Sequence, residues 1–247
     1  MNDKGFIIGR NPVIEALKAG RSLDTVYIAG GGSSSGGSLP LIRKLSTERG
    51  IPIKQVSGEK LDFMAGGASH QGVIASGCCA EYVEISVLLE NAEKKNRPAF
   101  IIICAGLEDP HNLGAVIRTA EAAGADGIII PKRRSASLNQ TVYKTSAGAA
   151  ALLPAARVAN IVAAIDELKS KGVWVYGADI SGGDYTKADL TGHIALVIGS
   201  ESAGLGRLIK EKCDCLLKLP MNGSINSLNA SVAAGVLMYE VLRQRSE

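Results

Sequence analysis

Residues 98–247 repeat one pattern: a short unbroken run of Ile, Val and Leu, then a segment of helical periodicity. Such runs carry no polar face, so their strands must be covered on both sides. Strands expected at Phe100–Ala105, Gly127–Pro131, Val173–Gly177, Ile194–Ile198 and Cys215–Leu219 alternate with helices expected at Leu113–Ala123, Ala159–Lys171, Gly206–Glu211 and Asn229–Arg243. That alternation specifies an α/β domain with a parallel sheet. Ligands then belong beyond the carboxyl ends of the strands. The composition agrees: 46% of residues are hydrophobic but only 4% aromatic, so the core is aliphatic.

Residues 1–77 form a smaller α/β module. Strands are expected at Phe6–Ile8, Val26–Ala29, Ile51–Val56 and Val73–Ser76. A helix is expected to start at Asn11-Pro12 and another to run from Pro40 to Arg49. Residues 30–38, GGGSSSGGS, read as a flexible loop. Residues 78–97 are rich in Glu and Lys and read as a linker, helical around Val87–Lys95.

The formal net charge is +3. A nucleic-acid partner is permitted but not demanded. The five cysteines, Cys78, Cys79, Cys104, Cys213 and Cys215, contain no Cys-x-x-Cys pair. The three histidines, His70, His111 and His193, are scattered, so no metal is expected. Met1–Gly9 lacks a signal-peptide pattern and no apolar run reaches membrane-spanning length. The expectation is a cytoplasmic protein with reduced thiols and no membrane partner.

Three loops at three strand ends carry chemistry. After the first strand, Asn112, Gly114 and Arg118 stand at N-x-G-x-x-x-R spacing. Asn112 suits a helix N-cap. Arg118 lies on the same helix and can lean back toward the strand ends; a surface arginine paired with Glu121 or Glu108 is the alternative. After the fourth strand, GSESAGLG sets the carboxylate of Glu201 among small residues. After the fifth, Pro220 stops strand pairing and MNGSINSLN offers free backbone groups and three capping residues, Asn226, Ser227 and Asn229. The helix that follows is apolar over more than half its circumference and must be buried, against this chain or a second copy. Lys132, Arg133, Arg134 and Lys144 form a basic cluster that either grips phosphates or is a solvated loop. Neither G-x-G-x-x-G after a strand nor a Walker A lysine occurs, which removes support for dinucleotide-dependent oxidoreductases and nucleotide hydrolases.

These loops, DPHNLGAVIRTAEAAGA, IALVIGSESAGL and LPMNGSINSLNASVAAGVLMYE, resemble the three motifs of the SpoU/TrmH (SPOUT) family of RNA ribose 2′-O-methyltransferases. GRNPVIEAL and SHQGVIA resemble the additional N-terminal domain of its bacterial large-subunit rRNA guanosine branch. The resemblance covers nearly the whole chain. It implies a catalytic domain at 98–247 with a deep trefoil knot and an RNA-binding domain of ribosomal protein L30e type at 1–77. It implies S-adenosylmethionine as methyl donor, held by Gly199, Leu219, Met221, Ser227 and Leu228. Asn112, Arg118, Glu201, Ser227 and Asn229 match the polar residues of the reaction centre. RNA contacts are expected from Arg10, Asn11 and His70, and from Lys132, Arg133 and Arg134. The partners implied are large-subunit rRNA and a second copy of the chain. Asn226 departs from the family's usual Ser. Open alternatives are a tRNA substrate, an antibiotic-resistance site in rRNA, and a catalytically silent RNA-binding protein of the same fold.

Overall fold

The computed structural model describes residues 6–21, 23–30, 37–77, 81–200, 203–224 and 227–246. Two compact units emerge, Met1–Glu81 with Ser137–Gln140 and Tyr82–Ala136 with Thr141–Glu247.

The first unit holds β1 (Phe6–Ile8), α1 (Arg10–Lys18), β2 (Leu23–Ala29), α2 (Leu39–Glu48), β3 (Ile53–Val56), α3 (Gly58–Ala65) and β4 (Val73–Gly77). Its sheet runs β1-β4-β2-β3, parallel only between β2 and β3. Side chains alternate across it. Val26, Ile28, Val73 and Ala75 pack with Val13, Leu17 and Ile42 of α1 and α2, while Ile74 packs with Leu61 and Met64 of α3. Helix α1 begins at Arg10, so Asn11 sits in its first turn rather than capping it. Helix α3 has no counterpart in the sequence reading. Ser57 caps it by accepting from the Lys60 amide at 3.3 Å.

The second unit is built on a seven-stranded sheet, all of whose pairs are parallel. Its strands are β5 (Tyr82–Val83), β6 (Phe100–Ala105), β7 (Gly127–Pro131), β8 (Ala155–Val158), β9 (Trp174–Asp184), β10 (Ile194–Gly199) and β11 (Cys215–Lys218). Their order is β11-β9-β10-β6-β7-β8-β5. The chain builds outward from β6 through β7 and β8, then crosses back to the other side of β6. The topology therefore switches direction between β6 and β10, where open α/β sheets place their ligands.

Helices α4 (Ile85–Lys94) and α7 (Ile161–Ser170) cover one face. Ile85, Leu88, Ile161, Ile165 and Leu168 pack there with Ile101, Ile103, Val175 and Val197. Residues 82–97 were expected as a linker. They are instead part of this unit, because Ile85, Leu88 and Ala92 give α4 a buried stripe among its charges. Helix α5 (Pro110–Ala122) packs beside α9 (Ala230–Ser246), which in turn contacts β10. Asn112 meets Asn229 and Ser231, and Thr119 lies under Gly235, so α5 and α9 run in the same sense.

The far end of α9 is fixed by Arg245. Its guanidinium donates to the carbonyls of Pro98 and Ala99 at 3.0 Å and of Gly192 at 2.6 Å, and stacks over the Phe100 ring. Nearby, the fully buried carboxylate of Asp126 accepts from Lys95, Arg97 and the Phe100 amide. Helix α6 (Gln140–Thr145), α8 (Arg207–Lys212) and β8 complete the unit; α6 and β8 were not foreseen.

Candidate active site

A cavity of about 420 Å³ lies at the carboxyl ends of β10 and β11, against the middle of β9. Its walls come from residues 178–180, 198–200, 203 and 204, from Leu217, Leu219 and Met221, and from the start of α9 and the residues before it, with Lys210 of α8. Gly199 and, from the segment after β11, Leu219, Met221, Ser227 and Leu228 all line it. The volume falls within the ~300–1,000 Å³ typical of small-molecule pockets. The lining is largely aliphatic, with the carboxylate of Asp179, the ammonium of Lys210 and the Ser200 and Ser227 hydroxyls as its polar side-chain groups.

Gly199 must be glycine for a packing reason. An added Cβ would overlap the Gly204 carbonyl carbon and stand 2.6 Å from the Leu205 amide nitrogen. This close approach lets Ser200 and Gly204 exchange backbone hydrogen bonds at 3.1 and 2.9 Å. The loop thus folds back tightly at the cavity rim. Glu201 and Ser202 lie outside the described residues, as do Ile225 and Asn226.

Asn229 caps α9. Its Oδ1 accepts from the Ser231 amide at 2.9 Å, the Ser231 hydroxyl at 2.6 Å and the Val232 amide at 3.3 Å. Its Nδ2 donates to Asn112 Oδ1 at 3.0 Å, and the Ser231 hydroxyl lies 3.2 Å from the same oxygen. Asn112 does not cap α5. Asp109 does, accepting from the His111 amide at 3.0 Å, because Pro110 fits the first helical position and places the cap one residue earlier. Asn112 is thereby released to join α5 to α9. Next to it, Gly114 permits contact with α6, since a Cβ there would overlap the Thr145 hydroxyl.

Arg118 is exposed further along α5, outside the cavity lining. Among the described residues it has no ion-pair partner, and neither Glu108 nor Glu121 holds it. Lys132, Arg133 and Arg134 are exposed on the loop after β7. That loop is fastened to the one before α5: Ala136 donates to the Leu107 carbonyl at 2.7 Å and the Ser135 hydroxyl to the same oxygen at 3.2 Å. The basic cluster therefore shares the strand-end side with Asn112.

In the first unit the residues expected to contact RNA have these surroundings. Arg10 Nε donates to the Gln71 carbonyl at 2.9 Å, and Asn11 is exposed. His70 is a brace. Its Nδ1 accepts from the Gly72 amide at 2.9 Å, which leaves the proton on Nε2 to donate to Asp62 at 3.0 Å.

Asp179 and Lys210 were missed by the sequence reading. They form an ion pair at 2.6 Å on the cavity wall. Burial pushes the Asp179 carboxyl up, but hydrogen bonds from Lys210 and Ser181 outweigh it and hold the group below the ordinary carboxylate range. The legible signal was Asp-x-Ser, in which the carboxylate accepts from both the amide and the hydroxyl two residues on. The same bonding recurs at Asp184-x-Thr186, Asp189-x-Thr191 and Asn229-x-Ser231. Among the described residues no group of three or more His, Cys, Asp or Glu is arranged to hold a metal ion. No helix among them is long and apolar enough to cross a membrane.

Comparison with known proteins places this geometry. The description "SpoU rRNA Methylase family" matches residues 99–239, and "RNA 2'-O ribose methyltransferase substrate binding" matches residues 6–78. The "Putative TrmH family tRNA/rRNA methyltransferase YacO" of Bacillus subtilis is 49% identical over 242 residues, covering 98% of this chain and 96% of that protein. A Staphylococcus aureus protein with the same family name is 44% identical over the same coverage. Among solved structures, the SpoU methyltransferase AviRb from Streptomyces viridochromogenes in complex with AdoMet aligns with a TM-score of 0.63 at 25% identity, over 98% of this chain and 90% of that one. With more than half of its length matched by the family description and a near-full-length relative at 49% identity, this chain belongs to the SpoU rRNA methylase family.

Proposed function

We propose that this protein transfers a methyl group from S-adenosylmethionine to the ribose 2′-hydroxyl of a guanosine in large-subunit rRNA. The observation that carries the reading is the strand-end cavity. It joins an aliphatic lining suited to an adenosine and a methionine chain with a few polar groups, beside the tied starts of α5 and α9. Gly199, Leu219, Met221, Ser227 and Leu228 would hold the donor. Bound there, the donor supplies a sulfonium methyl as electrophile.

The chain's own groups have the remaining work. A ribose hydroxyl must be aligned and its developing charge stabilised. Arg118, exposed and without a described partner, suits contact with the ribose and its phosphate. A guanidinium donates but does not take protons in proteins, so its role is stabilisation rather than proton removal. Asn112, Ser227 and Asn229 orient the sugar, and Glu201 steadies Arg118 or a neighbouring loop. Lys132, Arg133 and Arg134 meet backbone phosphates, as do Arg10 and Asn11 in the 1–77 domain, which the substrate-binding description supports.

The reading includes a second copy of the chain, a cytoplasmic setting and a knotted C-terminal segment. An exposed apolar stripe on α9, Val232, Val236 and Tyr239, supports the dimer. The cavity shared by residues 178–180, by Gly199 and Gly204, and by Leu219, Met221 and Leu228 supports the knot. A tRNA substrate is the second reading, favoured by relatives named for both tRNA and rRNA.

The test is incubation with methyl-tritiated donor and undermethylated total RNA, followed by primer-extension mapping of ribose methylation. A single stop in large-subunit rRNA supports the proposal. Label confined to tRNA selects the second reading, and no transfer to either RNA rejects both.

A further inference from the structure

The geometry points to Asp179 as the residue that recognises the sugar of the methyl donor, through a hydroxyl of its ribose. This rests on the reading of the strand-end cavity as the donor pocket. Asp179 lies in the middle of β9, two residues past its last pairing with β10, and its side chain is 7% exposed, the remaining surface opening on the cavity wall. A carboxylate oxygen offers two good acceptor directions. Asp179 Oδ1 spends both on Ser181, with the amide at 3.0 Å and the hydroxyl at 2.6 Å. Oδ2 spends one on Lys210 at 2.6 Å. One acceptor direction of Oδ2 is left at the edge of a ligand-sized cavity.

The charge next to that direction selects its occupant. An ammonium already sits 2.6 Å from Oδ2. A second cation, such as the donor's amino group or sulfonium, would be repelled by Lys210 at close range in a partly buried site. A neutral donor meets no such repulsion; of the neutral donors of adenosine, the ribose hydroxyls make shorter bonds to a carboxylate than the adenine amino group does. Ala178, Ile180, Ile198 and Leu217 around the pair suit an apolar base and sugar face. Lys210 and Ser181 hold the carboxylate ionised and fixed, so a hydroxyl would meet a preorganised anion. Such charge-assisted bonds are the stronger kind.

The experiment is calorimetric titration of the full-length protein with S-adenosylhomocysteine and with its 2′,3′-dideoxy analogue. Wild type is expected to bind the hydroxylated ligand about tenfold or more tightly than the analogue, as one charge-assisted hydrogen bond allows. Asp179→Asn is expected to lose most of that preference by weakening the hydroxylated ligand, leaving the analogue within about twofold. Lys210→Met removes one of the two groups that fix the carboxylate and is expected to reduce the preference without abolishing it, since Ser181 still holds Oδ1. Circular dichroism checks folding, and Asp179→Glu replaces Asp179→Asn if the latter does not fold. Equal weakening of both ligands by the Asp179 variant, or an unchanged preference in it, overturns the assignment. Absence of any binding by wild type overturns the donor-pocket reading itself, and the two failures are thereby distinguished.

Discussion

Asn229 donates its side-chain amide to Asn112 at 3.0 Å across 117 residues of sequence. The same Asn229 caps α9 with its oxygen. One side chain therefore both starts the C-terminal helix and ties it to the helix after β6. An N-cap is worth about 1 kcal/mol and a hydrogen bond about the same. Asn229→Ala is expected to cost roughly 1–2 kcal/mol in denaturant unfolding. A double-mutant cycle with Asn112→Ala is expected to show a coupling of at least about 0.5 kcal/mol. Strict additivity would show that the contact is incidental.

Gly199→Ala tests the cavity rim. The added methyl cannot clear the Gly204 backbone, so the loop must move. Binding of S-adenosylhomocysteine is expected to fall by at least about tenfold, while the thermal midpoint drops by only a few degrees, in line with a local overpacking cost of about 1–3 kcal/mol. Unchanged affinity would remove the rim from the donor site.

Arg118→Ala is expected to abolish methyl transfer in single-turnover assays while leaving donor affinity within about threefold. The residue is exposed and off the cavity lining, so the free protein needs it for neither folding nor donor binding. Comparable loss of turnover and affinity would place it in the pocket instead.

Asp179 gives a pH dependence. Its folded carboxyl titrates below the ordinary carboxylate value of about 4. Its stabilising contribution is therefore present above that value and disappears as pH falls through the lowered one. The thermal midpoint of wild type is expected to fall more steeply below about pH 4 than that of Asp179→Asn. Parallel profiles would contradict the sign.

Burial raises the Cys213 thiol to about 11, with Asp214 adding to the shift. The thiolate is the reactive form. In iodoacetamide labelling of the folded protein at pH 8, the exposed Cys215 is expected to react well before Cys213, as read by peptide mass mapping. Faster labelling at Cys213 would show that its surroundings open.

Much of the fold was legible because its code is local. FIIICA and GIIIP define β6 and β7 residue for residue, since only strands buried on both faces read as unbroken aliphatic runs. Helix α6 and strand β8 were missed because their segments are short and irregular in periodicity. Residues 82–97 read as linker because surface charge masked a three-residue apolar stripe.

The sequence by itself determined the parallel α/β class, the three strand-end loops and the polar residues they carry, all of which follow from periodicity, turn chemistry and motif. Only the tertiary structure decided which of those residues meet. It set Asn112 against Asn229, put residues near 199, 219 and 228 around one cavity, occupied both ring nitrogens of His70 with structural bonds, and brought Asp179 to Lys210. The reason is physical: hydrophobic pattern fixes which face of an element is buried, whereas the pairing of distant polar groups depends on strand order and register, which no local stretch encodes.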